Sequence, residues 1–334
     1  MNKLKPPLRI ICDPVTLEIV RGAITATQRE MEALIERTAI SAFIREKKDF
    51  YTALFDGEGV MAVGSMVPIF GDMTGPVFKH FPRDTMREGD LYWYNDCYGS
   101  QGAVSHSNDQ VLLAPVFLDG RLCAFVMGWA HFADIGGLRP GSISPDTKEI
   151  FHEGIIVPPT KLADQGVVNT AALAIFHRNS RYPEQSHGDM SALMAAVNLG
   201  AVRVAEIVDR FGADLISDAL AQLLARTRKL VRTKLAETFD YGTHRFTDRI
   251  DSDGHGGGPY RLRFSLTREK TDAEDRFIFD ATETDDQAPG PVNFLMNPGV
   301  PGMALGLFYL GGDPSQVCNA GGPLSLDEVR LREG

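Results

Sequence analysis

The stretch from residue 111 to 130 constrains the fold more than any other part of the sequence. Residues 111–118 read as a buried strand, Asp119-Gly120 as a two-residue turn and 121–130 as the return strand. Asp-Gly accepts the positive backbone angles that a tight hairpin turn requires, so the two strands are predicted to pair antiparallel with Leu118 opposite Arg121. A second hairpin is predicted over 50–63 around Asp56-Gly57, with a short strand at 91–94. Asp13-Pro14 supplies an N-cap and a first-turn proline ahead of an apolar face, Leu17, Val20, Ile24, Met31 and Leu34, predicting a helix to about residue 44.

Later segments separate helix from strand. Residues 136–169 are rich in Gly and Pro but too apolar for a disordered linker, which predicts an ordered functional loop region. A short helix over 170–178 and two long amphipathic helices over 188–211 and 213–239 follow, with Gly212 as the break. Strands return from Thr243, at 261–268 and 275–282, before a second Gly- and Pro-rich stretch at 289–322. The expected class is α+β: antiparallel hairpins and a mixed sheet, with a segregated block of long helices. Three regions are expected: a helix plus β-rich region at 1–169, a helical block at 170–242 and a β-rich region at 243–334.

Composition removes several function classes. With 34 basic and 44 acidic residues in 334, the net charge of −10 argues against nucleic acid as a partner. No uninterrupted apolar run approaches ~18 residues, which predicts no membrane span. Met1 to Pro7 lacks an apolar core of the kind a signal peptide has. Cys12, Cys97, Cys123 and Cys318 are scattered without a Cys-x-x-Cys pair, as reduced thiols would be. A cytoplasmic protein is expected.

Three side chains can do chemistry together. Counting back from the Asp119-Gly120 turn, His131 falls opposite Asn108, between His106 and Asp109. Two imidazoles and a carboxylate converging with an open position suit a catalytic divalent metal; the plain alternative is three unrelated polar residues. In a regular strand Asp109 would point away from His106, so residues 105–109 must turn or bulge. Asp134 reads as the first residue of a turn or as the partner that orients a metal ligand. Glu149 and Glu153, four apart, are weak acid–base candidates on one helical face. The stretches Asp251 to Gly254 and His255 to Gly258 read as a connection between strands, Cys97 as a packing residue, and no phosphate-binding glycine loop is present.

Taken in order, these segments resemble the hydantoinase B/oxoprolinase family, which includes the large subunits of acetone and acetophenone carboxylases. The resemblance runs from Asp13-Pro14-Val15-Thr16-Leu17-Glu18 through Arg37-Thr38-Ala39, Arg45-Glu46, Asp49-Phe50 and Asn95-Asp96 to His106-Ser107-Asn108-Asp109. It continues through His131 to Gly137, Pro140-Gly141-Ser142, Glu153-Gly154, Pro158 to Leu162, Gly188-Asp189-Met190, Asp251 to Gly254 and Gly290-Pro291-Val292-Asn293. It implies a metal-binding subunit, zinc or manganese at His106, Asp109 and His131, beside a hydantoinase A-type partner that binds ATP. The extra residues Gly99 to Val104, and Cys97 where relatives often carry proline, incline the expectation toward ATP-dependent carboxylation of a ketone with activated bicarbonate. The alternatives are ATP-dependent hydrolysis of a cyclic amide, or a non-catalytic scaffold. Residues 67–71 lack a histidine that relatives often carry nearby. Relatives' large subunits are longer, which implies a fragment, a processed chain or a split subunit with a complementary C-terminal polypeptide.

Overall fold

The computed structural model describes residues 12–65, 71–308 and 323–333. Met1 to Pro7, residues 67–70, Cys318 and the 309–322 part of the second Gly- and Pro-rich stretch lie outside them. Helix α1 (Pro14–Thr38) begins as the sequence predicts. The Asp13 carboxylate accepts from Val15 N and Thr16 N at 3.0 and 3.2 Å, ahead of Pro14 in the first turn. It ends earlier than residue 44. The Asp189 carboxylate accepts from Ile40 N and Ser41 N at 2.7 and 3.0 Å, the backbone turns extended at Ala39, and a separate turn of helix, α2 (Ala42–Arg45), follows.

The predicted hairpin around Asp56-Gly57 is β1 (Phe50–Asp56) and β2 (Met61–Gly64). After the short helix α3 (Gly75–His80) come β3 (Leu91–Tyr94), β4 (Asp109–Leu118) and β5 (Arg121–His131). The 136–169 region is less irregular than its composition suggested, because it contains β6 (Thr160–Asp164) and β7 (Val167–Val168). Together these strands form a seven-stranded antiparallel sheet in the order β2-β1-β5-β4-β3-β6-β7.

Helices α4 (Thr170–Asn179), α5 (Pro183–Phe211) and α6 (Ala213–Thr238) come next, with Gly212 at φ +86° making the break. A second, four-stranded sheet follows. It consists of β8 (Gly242–Ile250), β9 (Tyr260–Glu269), β10 (Arg276–Asp280) and, after α7 (Gly299–Phe308), the parallel strand β11 (Glu328–Arg330). The class is α+β, one antiparallel and one mixed sheet.

Alternation along the central strands gives the large sheet two different faces. Phe50, Leu54, Leu112, Ala114, Val126 and Ala130 join α1, α5 and α6 in one buried cluster. The intervening Tyr51, Phe55, Val111, Leu113, Phe125, Met127 and Trp129 join Tyr92, Tyr94, Ala103, Val104 and Met303 in another. Helix α5 sits close to the first face because Gly200 leaves room. A β-carbon there would lie 2.4 Å from Met31 Sδ and 2.7 Å from Val126 Cγ1.

By length and composition α5 passes for a membrane span, with a mean hydropathy of 1.5. Here its apolar stripe, Leu193, Ala196, Val197, Val204 and Val208, is part of the first buried cluster.

Candidate metal centre

The β4–β5 hairpin turns at Asp119-Gly120, both with positive φ (50° and 77°), and Leu118 pairs with Arg121 as predicted. The register then changes. Phe117 pairs with Leu122 but Val116 with Ala124, so Cys123 is an extra residue bulged out of the ladder. His131 is therefore opposite Asp109, and the predicted pairing with Asn108 is corrected by one residue. The bulge matters for chemistry. Paired residues project from the same face, and a one-residue slip moves a strand's side chains to the other. Asp109 and His131 thus share the face that carries Val111 and Trp129.

His106 arrives by the turn that the sequence required. Residues 105–108 are irregular, and Asp109 N donates to the His106 carbonyl at 3.2 Å. Asp109 Oδ1 lies 3.3 Å from His106 Nε2 and 3.4 Å from His131 Nδ1, and the two imidazole centroids are 4.9 Å apart. One ligand atom from each of the three residues falls within 4.8 Å of the others.

Neither close approach is a hydrogen bond, since Asp109 Oδ1 is buried with no hydrogen-bond partner. An orphaned carboxylate oxygen facing two ring nitrogens is a costly arrangement for a protein interior. A cation among the three would remove the cost, so the donor set fits a divalent metal.

The local electrostatics agree. Burial pushes the Asp109 carboxyl up to about 7; the His106 imidazole opposes that shift, while Asp49 and Glu153 add to it. Burial lowers both imidazoles, against the opposing pull of Asp109 on His106 and of Asp49 on His131. Neutral imidazole is the form that binds metal. His131 Nε2 lies 3.2 Å from the Gly141 carbonyl, which leaves Nδ1 unprotonated on the side of Asp109 when Nε2 carries the proton. Asn108 Nδ2 donates to the same Gly141 carbonyl at 3.1 Å and to Phe132 O at 2.8 Å, fixing that loop.

Sequence reasoning did not select Asp49 for this site. It lies one residue before β1, its carbonyl accepts from His131 N at 3.0 Å, and its charge acts on all three residues. Only the pairing of β1 with β5, Phe50 opposite Ala130, brings it there. Nearby, the Phe43 ring lies 4.9 Å from that of His131, and Lys47 Nζ is 2.6 Å from the Asp49 carboxylate.

Asp134 is placed elsewhere. Its carboxylate accepts from Gly136 N at 3.2 Å, as a turn residue does, and from the guanidinium and backbone of Arg181. The group facing His131 Nε2 is the Gly141 carbonyl instead.

Glu149 and Glu153 do not share a helical face. Residues Ile150–Glu153 make one 3₁₀ turn; Glu149 pairs with His152 at 3.1 Å, and Glu153 reaches the backbone of Ser107. Cys97 is buried and its thiol is pushed up, first by that burial and then by Glu153 and Asp109, which suits packing. Residues 251–258 connect β8 to β9, where the Asp253 carboxylate accepts from His255 N, Gly257 N and the Tyr260 hydroxyl.

A family model described as hydantoinase B/oxoprolinase matches residues 13–334. The beta subunit of caprolactamase from Pseudomonas jessenii is 30% identical over 304 residues, covering 88% of this chain and 50% of that protein. The crystal structure of the ATP-dependent caprolactamase from that organism matches with a TM-score of 0.78 at 28% identity, covering 97% of this chain and 54% of that one. A protein from a Pseudomonas species, described as one subunit of a putative D-/L-hydantoinase, is 31% identical over 309 residues, 88% of this chain and 50% of that protein. The delta subunit of acetophenone carboxylase from Aromatoleum aromaticum is 27% identical over 211 residues, 63% of this chain and 30% of that protein. The chain spans about half the length of both Pseudomonas relatives.

Proposed function

The chain belongs to the hydantoinase B/oxoprolinase family, and from that premise we propose that it carries the metal centre of an ATP-dependent, multi-subunit enzyme that opens a cyclic amide. The observation that carries this is the buried, unpartnered Asp109 Oδ1 with an imidazole nitrogen on either side at 3.3 and 3.4 Å. His106 Nε2, Asp109 Oδ1 and His131 Nδ1 would hold the ion, and Asp49 and Glu153 add negative charge around it.

Bound there, zinc or manganese would supply Lewis acidity toward a carbonyl oxygen or a water. The chain's own residues prepare the place. Burial keeps both imidazoles neutral, the Gly141 carbonyl orients His131, and Val111, Met127 and Trp129 wall the face in apolar surface. ATP would bind a hydantoinase A-type partner subunit.

The preference for a cyclic amide over a ketone rests on breadth of similarity. The caprolactamase and hydantoinase subunits align with 88% of this chain, the acetophenone carboxylase subunit with 63%. Ketone carboxylation stays as the second reading on one observation, the 27% identity to the acetophenone carboxylase delta subunit.

Assays of the whole complex with ATP separate the two. Ring opening of a lactam or hydantoin without bicarbonate is the expected result. Bicarbonate-dependent consumption of a ketone, with no ring opening, would reverse the order. Full turnover by an enzyme whose His106, Asp109 and His131 are all alanine would leave only a scaffold role.

A further inference from the structure

Ser107 and Asn108 lie between two of the three metal-site residues, and the Ser107 hydroxyl is buried. The Ser107 backbone is engaged on both sides. Glu153 Oε2 accepts from Ser107 N at 2.7 Å. Asn95 Nδ2 donates to the Ser107 carbonyl at 2.7 Å, and Gln110 Nε2 donates to the same oxygen at 2.9 Å.

Asn95 is wholly buried, and its amide is used in full. Nδ2 also donates to Ile155 O at 2.9 Å, and Oδ1 accepts from Val157 N at 2.6 Å. Both anchors therefore come from, or are tied to, one short segment, residues 153–157. That segment is itself fixed against the 135–137 loop. Gly136 bridges Gly154, which has φ +125°, and a β-carbon on Gly154 would fall 2.4 Å from the Ile135 carbonyl.

We propose that Asn95 and Glu153 are positioning residues for the metal centre, a two-point clamp on the Ser107 backbone that sets where His106 stands relative to Asp109. The proposal rests on the metal reading given above. Without the clamp, the ties left across this turn are local ones, the 3.2 Å bond from Asp109 N to the His106 carbonyl and the Gln110 amide on the Ser107 and Asn108 carbonyls at 2.9 and 3.3 Å. A metal site tolerates only small displacements of its ligands, and loss of supporting contacts of this kind costs about 10- to 100-fold in metal affinity.

The test is a titration of the full chain with cobalt(II), whose visible bands report the ligand geometry. Wild type should bind one equivalent. Glu153→Ala and Asn95→Ala should bind about 10- to 100-fold more weakly, with shifted bands. Glu153→Gln, whose amide oxygen still accepts from Ser107 N, should stay within about threefold of wild type. Wild-type affinity and bands in folded Glu153→Ala would overturn the clamp while leaving the metal site intact. Equal losses in Glu153→Gln and Glu153→Ala would also overturn it, because charge and not placement would then be the cause. Glu153 is only half-buried, so its variants decide the matter even if Asn95→Ala does not fold. Wild type that takes up no cobalt would remove the metal reading, and the clamp with it.

Discussion

Asp109 and His131 face each other across β4 and β5 on one face of the sheet, and the single bulged residue that puts them there is Cys123. In an unbroken ladder from the Asp119-Gly120 turn, Asp109 would pair with Ala130 and project opposite to His131.

That relationship separates two changes at one position. Cys123→Ser keeps the extra residue, so the melting temperature and metal content should stay at wild-type values. Deleting Cys123 would force residues 124–131 to exchange faces, turning Phe125 and Met127 toward α5. The deletion should abolish cooperative unfolding, seen as loss of the thermal transition by circular dichroism.

Asp109→Asn should separate metal binding from stability. At pH 8 with chelator present, wild type holds a charged carboxylate with one oxygen unpartnered in the interior, whereas the asparagine amide can donate to an imidazole. The variant should melt at the same temperature as the chelated wild type or higher, although it retains less than about a tenth of the metal. A melt several degrees below chelated wild type would contradict this.

The pH dependence of metal uptake follows from the same group. Both imidazoles are already depressed by burial, so they are neutral near pH 7, while Asp109 gives up its proton only at about 7. Affinity should rise with pH up to about 7 and flatten above it, with one proton released per ion on the acid side, measurable by chelator competition from pH 5.5 to 8.5. For the metal-free chain the signs differ between groups. The raised Asp109 favours folding below its unfolded value of 3.8, and that contribution is lost as pH climbs through 7. The lowered imidazoles favour folding above 6.5, and their contribution is lost as pH falls through their folded values.

Gly200→Ala tests whether packing or helix propensity dominates in α5. An exposed helix gains about 1 kcal/mol from this change. Here the new methyl would lie within 2.7 Å of both Met31 and Val126, and overpacking of that kind costs about 1–3 kcal/mol. Met31 can move aside; Val126, held in the sheet, cannot do so easily. Net destabilisation of about 1 kcal/mol is expected in urea unfolding, and a stabilised variant would show that the core there is looser than it looks.

Much of this was legible because it is encoded locally. The Asp13-Pro14 start, the Gly212 break and the Asp119-Gly120 turn each depend on a residue or two whose backbone chemistry leaves little choice. The gathering of His106, Asp109 and His131 was readable from the hairpin count to within one residue. The missing residue was the bulge, since nothing in Leu122-Cys123-Ala124 marks an extra residue. The early end of α1 depends on Asp189, nearly 150 positions away. β6 was hidden because Pro158-Pro159 and Gly166 around it look like loop, and its place is decided by pairing with β3. Asp49 was hidden for the same reason, being brought to the site by a strand pairing and not by a spacing.

The contact between His131 Nε2 and Gly141 has a consequence for how the site can drift under mutation. A side-chain carboxylate in that role could be lost in one codon change. A peptide carbonyl is present whatever residue occupies position 141, so no substitution deletes the acceptor. Variation reaches it only by bending the chain, and the φ of +120° there makes glycine the one residue that keeps the bend. The protonation pattern of His131 is thus inherited through backbone shape, and a library randomised at 141 should return glycine or inactive clones, with no graded series between.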